Sequence, residues 1–320
     1  MGFAAYATLV QCSRTSAGAG AAGAGKPVLS FYLAVADGGF LDHAGLAMKR
    51  ALVEHWPEYL AEAAGLALYM AAVGLIAVLL SAPASPLAGW LPGALARRAV
   101  MGVAVGATGV ALVYSPWGRR SGGHFNPAMT FTFWRLGKVA PWDALFYGAA
   151  QAGGGVAGVL AVRGLLGRAF VDPPVRAAVT SPGMAGAAAA FAAELTISAG
   201  LMTAVLQASN SRRFNRFTGC FAGLLVAAFI TFEAPLSGMS MNPARSFAAA
   251  LPAGAWSGLW IYLLAPPAGM LLAARVYVAR RGAAAVHCAK LDHGGSSRCI
   301  FRCRYPDLVG ERPGTGSAAP

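Results

Sequence analysis

The sequence predicts an all-α integral membrane protein with six transmembrane helices and two re-entrant half-helices, arranged as two inverted repeats. Three observations carry that prediction. Hydrophobic residues make up 57% of the 320 positions and charged residues 12%, with a mean hydropathy of +0.57. A soluble chain of this length can bury a large core without so few charges, and here the apolar residues gather into long runs rather than periodic faces. Second, the chain has four Asn, and two of them, Asn126 and Asn242, open Asn-Pro-Ala triplets 116 residues apart, at equivalent places in two similar halves. Third, basic clusters recur at alternate ends of the apolar runs.

Residues 1–50 form an N-terminal extension, in which Ala17–Gly25 is only Ala and Gly and reads as flexible. It lacks a basic segment followed by an uninterrupted apolar core, so no secretory signal is expected. Met48, followed by Lys49-Arg50, is an alternative start. The apolar body spans 51–281, with repeats at about 51–163 and 185–281, and a basic tail occupies 282–320. Spans are expected near 59–80, 97–115, 142–163, 185–207, 216–234 and 256–279, each close to the ~20 residues that cross a bilayer. Pro83, Pro86 and Pro92 mark the first loop, and Pro173, Pro174 and Pro182 the central one. Two further apolar stretches, 127–136 and 243–250, are too short to span. Each begins at an Asn-Pro-Ala triplet, with Asn suited to the N-cap and Pro to the first helical position, so both read as half-helices.

Lys49-Arg50, Arg119-Arg120, Arg212-Arg213-Arg216 and Arg280-Arg281 place both termini in the cytoplasm, with Arg163, Arg168 and Arg176 as exceptions. Three spans separate equivalent points of the halves. Because three is odd, the second half is inverted and the two half-helices enter from opposite faces. Irregular backbone at membrane depth survives only where protein buries it or where it lines a watery cavity. Opposed half-helix starts bring positive dipole ends and unpaired N–H groups to the midplane, which repels cations and still offers donors to a neutral molecule.

The net charge of +13 fits loops that meet anionic headgroups, with no nucleic acid as partner. The chain carries no P-loop, dinucleotide-binding fingerprint, nucleophile elbow or His-Glu-x-x-His motif, so no enzyme activity is expected.

Ser121-Gly122-Gly123-His124-Phe125-Asn126-Pro127-Ala128-Met129-Thr130 and Ser237-Gly238-Met239-Ser240-Met241-Asn242-Pro243-Ala244-Arg245-Ser246 give the chain a clear resemblance, over roughly residues 51–281, to the major intrinsic protein family of aquaporins and aquaglyceroporins. The resemblance implies an aquaporin-like fold, a homotetramer with one pore per subunit, and no cofactor for the channel. It makes Asn126 and Asn242 paired midplane donors, and in this family opposed half-helix ends are already established as a barrier to protons and cations. It also puts Arg245 in an outer selectivity filter, and spacing from the triplets adds Gly106, Ile230 and Met239 beside it. His124 belongs to the first motif. Glu62 and Glu194, at corresponding places in the first and fourth spans, would hold re-entrant backbone by hydrogen bonds; a carboxylate within a span is otherwise costly. Gln151 is expected as a packing donor, and Glu233 as a wetted acid near a span end.

Water-restricted members carry a bulky aromatic and a His where Gly106 and Ile230 are expected here, which implies a wider pore with one apolar wall. Ser246 stands where glycerol-conducting members usually have Asp, Tyr262 resembles the water type and Leu263 the glycerol type. Water, small polyols, urea, ammonia and peroxide all remain open as solutes.

The tail gathers His287, Cys288, His293, Cys299 and Cys303 within 17 residues. In a reducing cytoplasm such a cluster suggests zinc or another thiophilic metal, held by Cys288, Cys299, Cys303 and one of His287 or His293. The Cys-x3-Cys spacing matches no common zinc template, and the plainer reading is an unstructured basic tail lying on lipid. The expected function is a passive channel for water or small neutral solutes that excludes ions. The alternatives are an alternating-access transporter, for which no intramembrane coupling residue is apparent, and a closed-pore sensor or structural protein working through its tail.

Overall fold

In a computed structural model the described residues are 39–295 and 297–310, with side chains from Ala44 onward; the Ala-Gly segment at 17–25 lies outside them. Among the described residues six helices are long and apolar enough to cross a membrane. They are α1 (Gly39–Ser81), α2 (Ala94–Tyr114), α4 (Pro141–Leu166), α5 (Gly186–Ser209), α6 (Thr218–Phe232) and α8 (Leu259–Arg281). Two short helices, α3 (Pro127–Arg135) and α7 (Pro243–Ala253), begin at the Asn-Pro-Ala triplets. A helix satisfies most of its own backbone amides and carbonyls, which is why apolar runs in lipid adopt this form. α1 starts well before the expected residue 59, since helix continues from Gly39 through Pro57 into the apolar run. Residues 39–50 are therefore helical, in contrast to the flexible extension expected there. α7 runs three residues past its expected end and stops at Gly254, which takes the left-handed conformation (φ 62°) at the C-cap.

Small residues set the helix crossings. α2 packs on α6 and α5 on α8. A methyl group added at Gly102 or Gly106 would collide with the carbonyl oxygens of Ala227 and Gly223 on α6. In the same way Gly154 and Gly158 of α4 lie against the backbone of Ala63 and Ala67 on α1, and Gly269 of α8 against Leu195 on α5. α1 with α4 and α5 with α8 thus repeat one contact in the two halves. Close backbone approach through Gly and Ala suits helices that gain no hydrophobic driving force from leaving lipid.

The described part of the tail does not lie loose. The body from Arg50 and the described tail belong to one compact unit. Val286, Cys288, Ala289, Lys290 and Leu291 are all buried. Leu291 N donates to Gly122 O at 3.0 Å, Arg302 N to Lys138 O at 3.0 Å, and the Phe301 ring stacks on His124. A last short helix, α9 (Tyr305–Val309), returns to the loop between α5 and α6, where Arg212 donates to Val309 O at 3.0 Å.

Candidate functional site

Two buried carboxylates build the centre of the molecule. Glu62 on α1, wholly buried, accepts from Ser121 Oγ (2.6 Å), His124 N (3.0 Å), Phe125 N (2.6 Å) and Gln151 Nε2 (2.7 Å). Glu194 on α5 repeats the pattern in the second half, accepting from Ser237 Oγ (2.8 Å), Ser240 N (2.6 Å) and Met241 N (2.8 Å). Tyr147 Oη donates to Ser121 O at 2.6 Å, and Tyr262 Oη to Ser237 O at 2.5 Å. Each acid thereby satisfies backbone donors that no helix could use, and it fixes the loop that leads into a half-helix. The loops need that support, since Phe125 (φ 45°) and Met241 (φ 54°) hold a left-handed conformation that costs a non-Gly residue about 1–3 kcal/mol.

The half-helices meet through their caps. Asn126 Oδ1 accepts from Ala128 N at 2.9 Å, and Asn242 Oδ1 from Ala244 N at 3.1 Å and Arg245 N at 3.3 Å. The amide nitrogens cross over: Asn126 Nδ2 donates to Met241 O at 2.7 Å, and Asn242 Nδ2 to Phe125 O at 2.8 Å. A carboxamide has two N–H donors, so each Asn keeps one N–H beyond this reciprocal pair. Their carbonyl oxygens are taken up by the caps, so what these side chains can offer a passing molecule is a donor.

Two chambers flank this junction. One, of about 230 Å³, is lined by Tyr69, Val105, Ile230, Met239 and Arg245 among others. The other, of about 110 Å³, is lined by Asn126, Asn242, Gly109, Val113 and Val226, with Leu291 of the tail at its wall. Tyr69, Met239 and Ser240 border both, so the chambers follow one another along one path. Arg245 Nη1 is buried with no hydrogen-bond partner among the described residues. An always-charged donor left free in a chamber walled by Val105, Ile230 and Met239 suits a ligand that accepts hydrogen bonds.

A family match described as Major intrinsic protein covers residues 49–277. The chain belongs to the major intrinsic protein family. Aquaporin NIP1-3 of Oryza sativa subsp. japonica is 35% identical over 172 residues, covering 52% of this chain and 56% of that protein. Aquaporin NIP3-1 of Zea mays is 36% identical over 173 residues, covering 53% and 55%. The chain therefore spans little more than half the length of these curated relatives. In fold it is similar to the aquaglyceroporin of Plasmodium falciparum, with a TM-score of 0.58 at 20% identity, covering 70% of this chain and 96% of that one.

For a major intrinsic protein, the placement of the expected filter residues is the informative part. Ile230, Met239 and Arg245 share one chamber. Gly106 does not join them. It faces α6, where its missing side chain admits the Gly223 carbonyl, while Val105 supplies the α2 wall of the chamber and Met101 and Gly109 fall on the same helix face. The wider pore expected from Gly106 thus loses its basis. Tyr69 was not singled out from the sequence, yet it lies in both chambers; it stands seven residues, two helical turns, beyond Glu62 on the same face of α1, and that spacing was the available signal.

Ser246 and Tyr262, weighed above as selectivity markers, make contacts around the loop: Ser246 Oγ lies 2.7 Å from Thr180 Oγ1 and 2.6 Å from Ser240 Oγ, and Tyr262 Oη donates to Ser237 O. Glu233, expected to be wet, has both carboxylate oxygens buried without a hydrogen-bond partner among the described residues. His124 lies at the mouth of the second chamber, donating from Nε2 to Ala289 O at 2.8 Å and facing Thr130 Oγ1 at 2.9 Å through Nδ1. In the tail, Cys288, His293, Cys299 and Cys303 place their donor atoms within 4.8 Å of one another and could hold a metal ion. His287 is excluded from that group, since its backbone N donates to Asn210 Oδ1 at 2.7 Å and its ring faces the same oxygen.

Proposed function

We propose that this chain is a passive channel for water and small neutral solutes of the glycerol, urea, ammonia or peroxide class, and that it excludes ions and protons. The observation that carries this reading is the reciprocal Asn126–Asn242 pair, set at the junction of two half-helix starts. Each pore-facing N–H donates to an acceptor-bearing molecule, while the positive half-helix ends oppose a cation. Val105, Ile230, Met239 and Arg245 form the filter in this reading, with Tyr69 narrowing the way between the chambers. In this reading the protein works in a cell membrane as a homotetramer with both termini on the cytoplasmic side, and the basic loops support that orientation.

The test is stopped-flow light scattering of vesicles holding the purified chain, stepped osmotically with sorbitol, glycerol or urea, with a pH dye inside. Solute flux above that of protein-free vesicles, without saturation at high solute and without proton leak, is the expected result. Flux that saturates at low solute and needs an ion gradient would instead identify a transporter.

A further inference from the structure

We propose that Cys288, His293, Cys299 and Cys303 form a tetrahedral site for a thiophilic divalent cation, zinc by its donor set, and that the bound metal holds the Ala289–Leu291 segment as a plug in the tail-side mouth of the pore. The site stands on geometry. Tetrahedral zinc, with Zn–S about 2.3 Å and Zn–N about 2.0–2.1 Å, sets neighbouring donors about 3.8 Å (S to S) and about 3.6 Å (S to N) apart. Here Cys288 Sγ and Cys299 Sγ are 3.5 Å apart, and so are Cys303 Sγ and His293 Nε2; all four donors lie within 4.8 Å. Three Cys and one His is a closed structural zinc set with no position left for substrate. The His293 ring stacks on Tyr305 at 3.9 Å between centroids and 3° between planes, and Tyr305 Oη lies 3.2 Å from Asn215 Oδ1. Such outer contacts fix the orientation of a ligating imidazole.

The plug follows from where the ligands sit in the chain. Ala289, Lys290 and Leu291 lie between Cys288 and His293, so one metal would clamp both ends of this short segment. The segment is the part of the tail that enters the pore mouth. Ala289 O accepts from His124, Leu291 N donates to Gly122 O, and Leu291 lines the chamber that holds Asn126 and Asn242. Phe301, between Cys299 and Cys303, stacks on His124 from beside it, with ring centroids 5.4 Å apart. Ion pairs seat the same fold on the body: Arg298 reaches the wholly buried Glu58 of α1 through two nitrogens, at 3.1 Å and 3.0 Å, and Arg119 pairs with Asp292 at 2.8 Å. A ligand shifts an equilibrium only by its differential affinity for the two states, and a metal that needs all four donors converged binds the seated tail and not a dispersed one.

The site can be tested without any transport assay, whereas the plug rests on the channel reading above. Full-length protein purified under reducing conditions should carry one zinc per chain by native mass spectrometry. Exchange with cobalt should give the thiolate-to-cobalt absorption of a tetrahedral site, lost in Cys299→Ser/Cys303→Ser and kept in His287→Ala. No metal, or a mass two hydrogens lighter from a Cys288–Cys299 disulfide, overturns the site.

In vesicles, chelation should raise solute permeability about tenfold or more, as expected when the open form is a state of at most about 10% population. Leu291→Ala should raise it similarly while retaining the metal, which separates plugging from folding of the tail. Equal permeability with and without metal, and in Leu291→Ala, overturns the plug. A chain cut after Gly282 distinguishes the two readings: if it conducts while metal leaves the full chain unchanged, only the plug fails. If neither it nor Leu291→Ala passes any solute, the channel reading fails and takes the plug with it.

Discussion

Residues 105 and 106 of α2 point in different directions, and substitutions at the two should have opposite kinds of effect. At Gly106 an added methyl group meets the carbonyl oxygen of Gly223, well inside contact distance, with the Ala227 side chain next to it at 3.3 Å. The listener on the other side is rigid helix backbone, so α2 and α6 must separate. Overpacking of this kind costs about 1–3 kcal/mol. For a chain of this size each kcal/mol lowers the melting midpoint by roughly 2–4 °C, so Gly106→Ala should melt several degrees below wild type. Its ratio of glycerol to water permeability should not change. Val105→Trp places a large ring in the 230 Å³ chamber beside Ile230 and Arg245. It should cut glycerol relative to water by about tenfold or more, since size exclusion in a fitted apolar pocket is worth about 1–3 kcal/mol. Thermal scans in detergent and stopped-flow scattering on the same preparations read both effects, using a chain cut after Gly282 so that the tail does not limit flux. A changed solute ratio in stable Gly106→Ala, together with an unchanged ratio in Val105→Trp, would refute this assignment of the α2 faces.

Three further outcomes are expected. Glu62→Ala orphans four buried donors at about 1–3 kcal/mol each before relaxation, comparable with the whole stability of a typical fold; assembled protein with an unchanged melting point would contradict the loop-holding role. Arg245→Val removes the fixed charge from the proposed filter and should raise proton leak in a pH-dye assay while leaving water flux within a few-fold; an unchanged leak would assign the barrier to the half-helix junction alone. Burial lifts the Glu233 carboxyl to about 7, so between its unfolded value of about 4.3 and that point the folded protein holds a proton the unfolded chain has released. Stability from this group is therefore present at low pH and falls as pH rises through about 7; melting points at pH 5 and pH 8 should show that slope, and Glu233→Gln should flatten it.

Much of the architecture is written locally. Apolar runs near 20 residues name the spans, because lipid offers the backbone no hydrogen bonds and each run must satisfy itself as helix. The Asn-Pro-Ala triplets name the half-helix starts through capping chemistry that acts within three residues. Glu62 and Glu194 stand out because an unpaired carboxylate in an apolar run is too costly to be incidental.

What the tertiary structure decided depends on direction and on contacts far apart in the chain. Counting back from Asn126 to Gly106 assumes a fixed loop length, yet a helix turns about 100° per residue, so an error of one exchanges the pore face for the α6 face. The crossing of Asn126 to Met241 O and of Asn242 to Phe125 O joins residues more than a hundred positions apart, which no local pattern specifies. In the tail, composition proposed a metal set and spacing left His287 and His293 equivalent. Folding separated them, because Asn210 binds one while Tyr305 stacks on the other. The seat of Leu291 against the chamber that holds Asn126 and Asn242 has the same origin: it follows from the tail's ion pairs and stacking on the body, and a charged, loop-like sequence carries no sign of the surface it will meet.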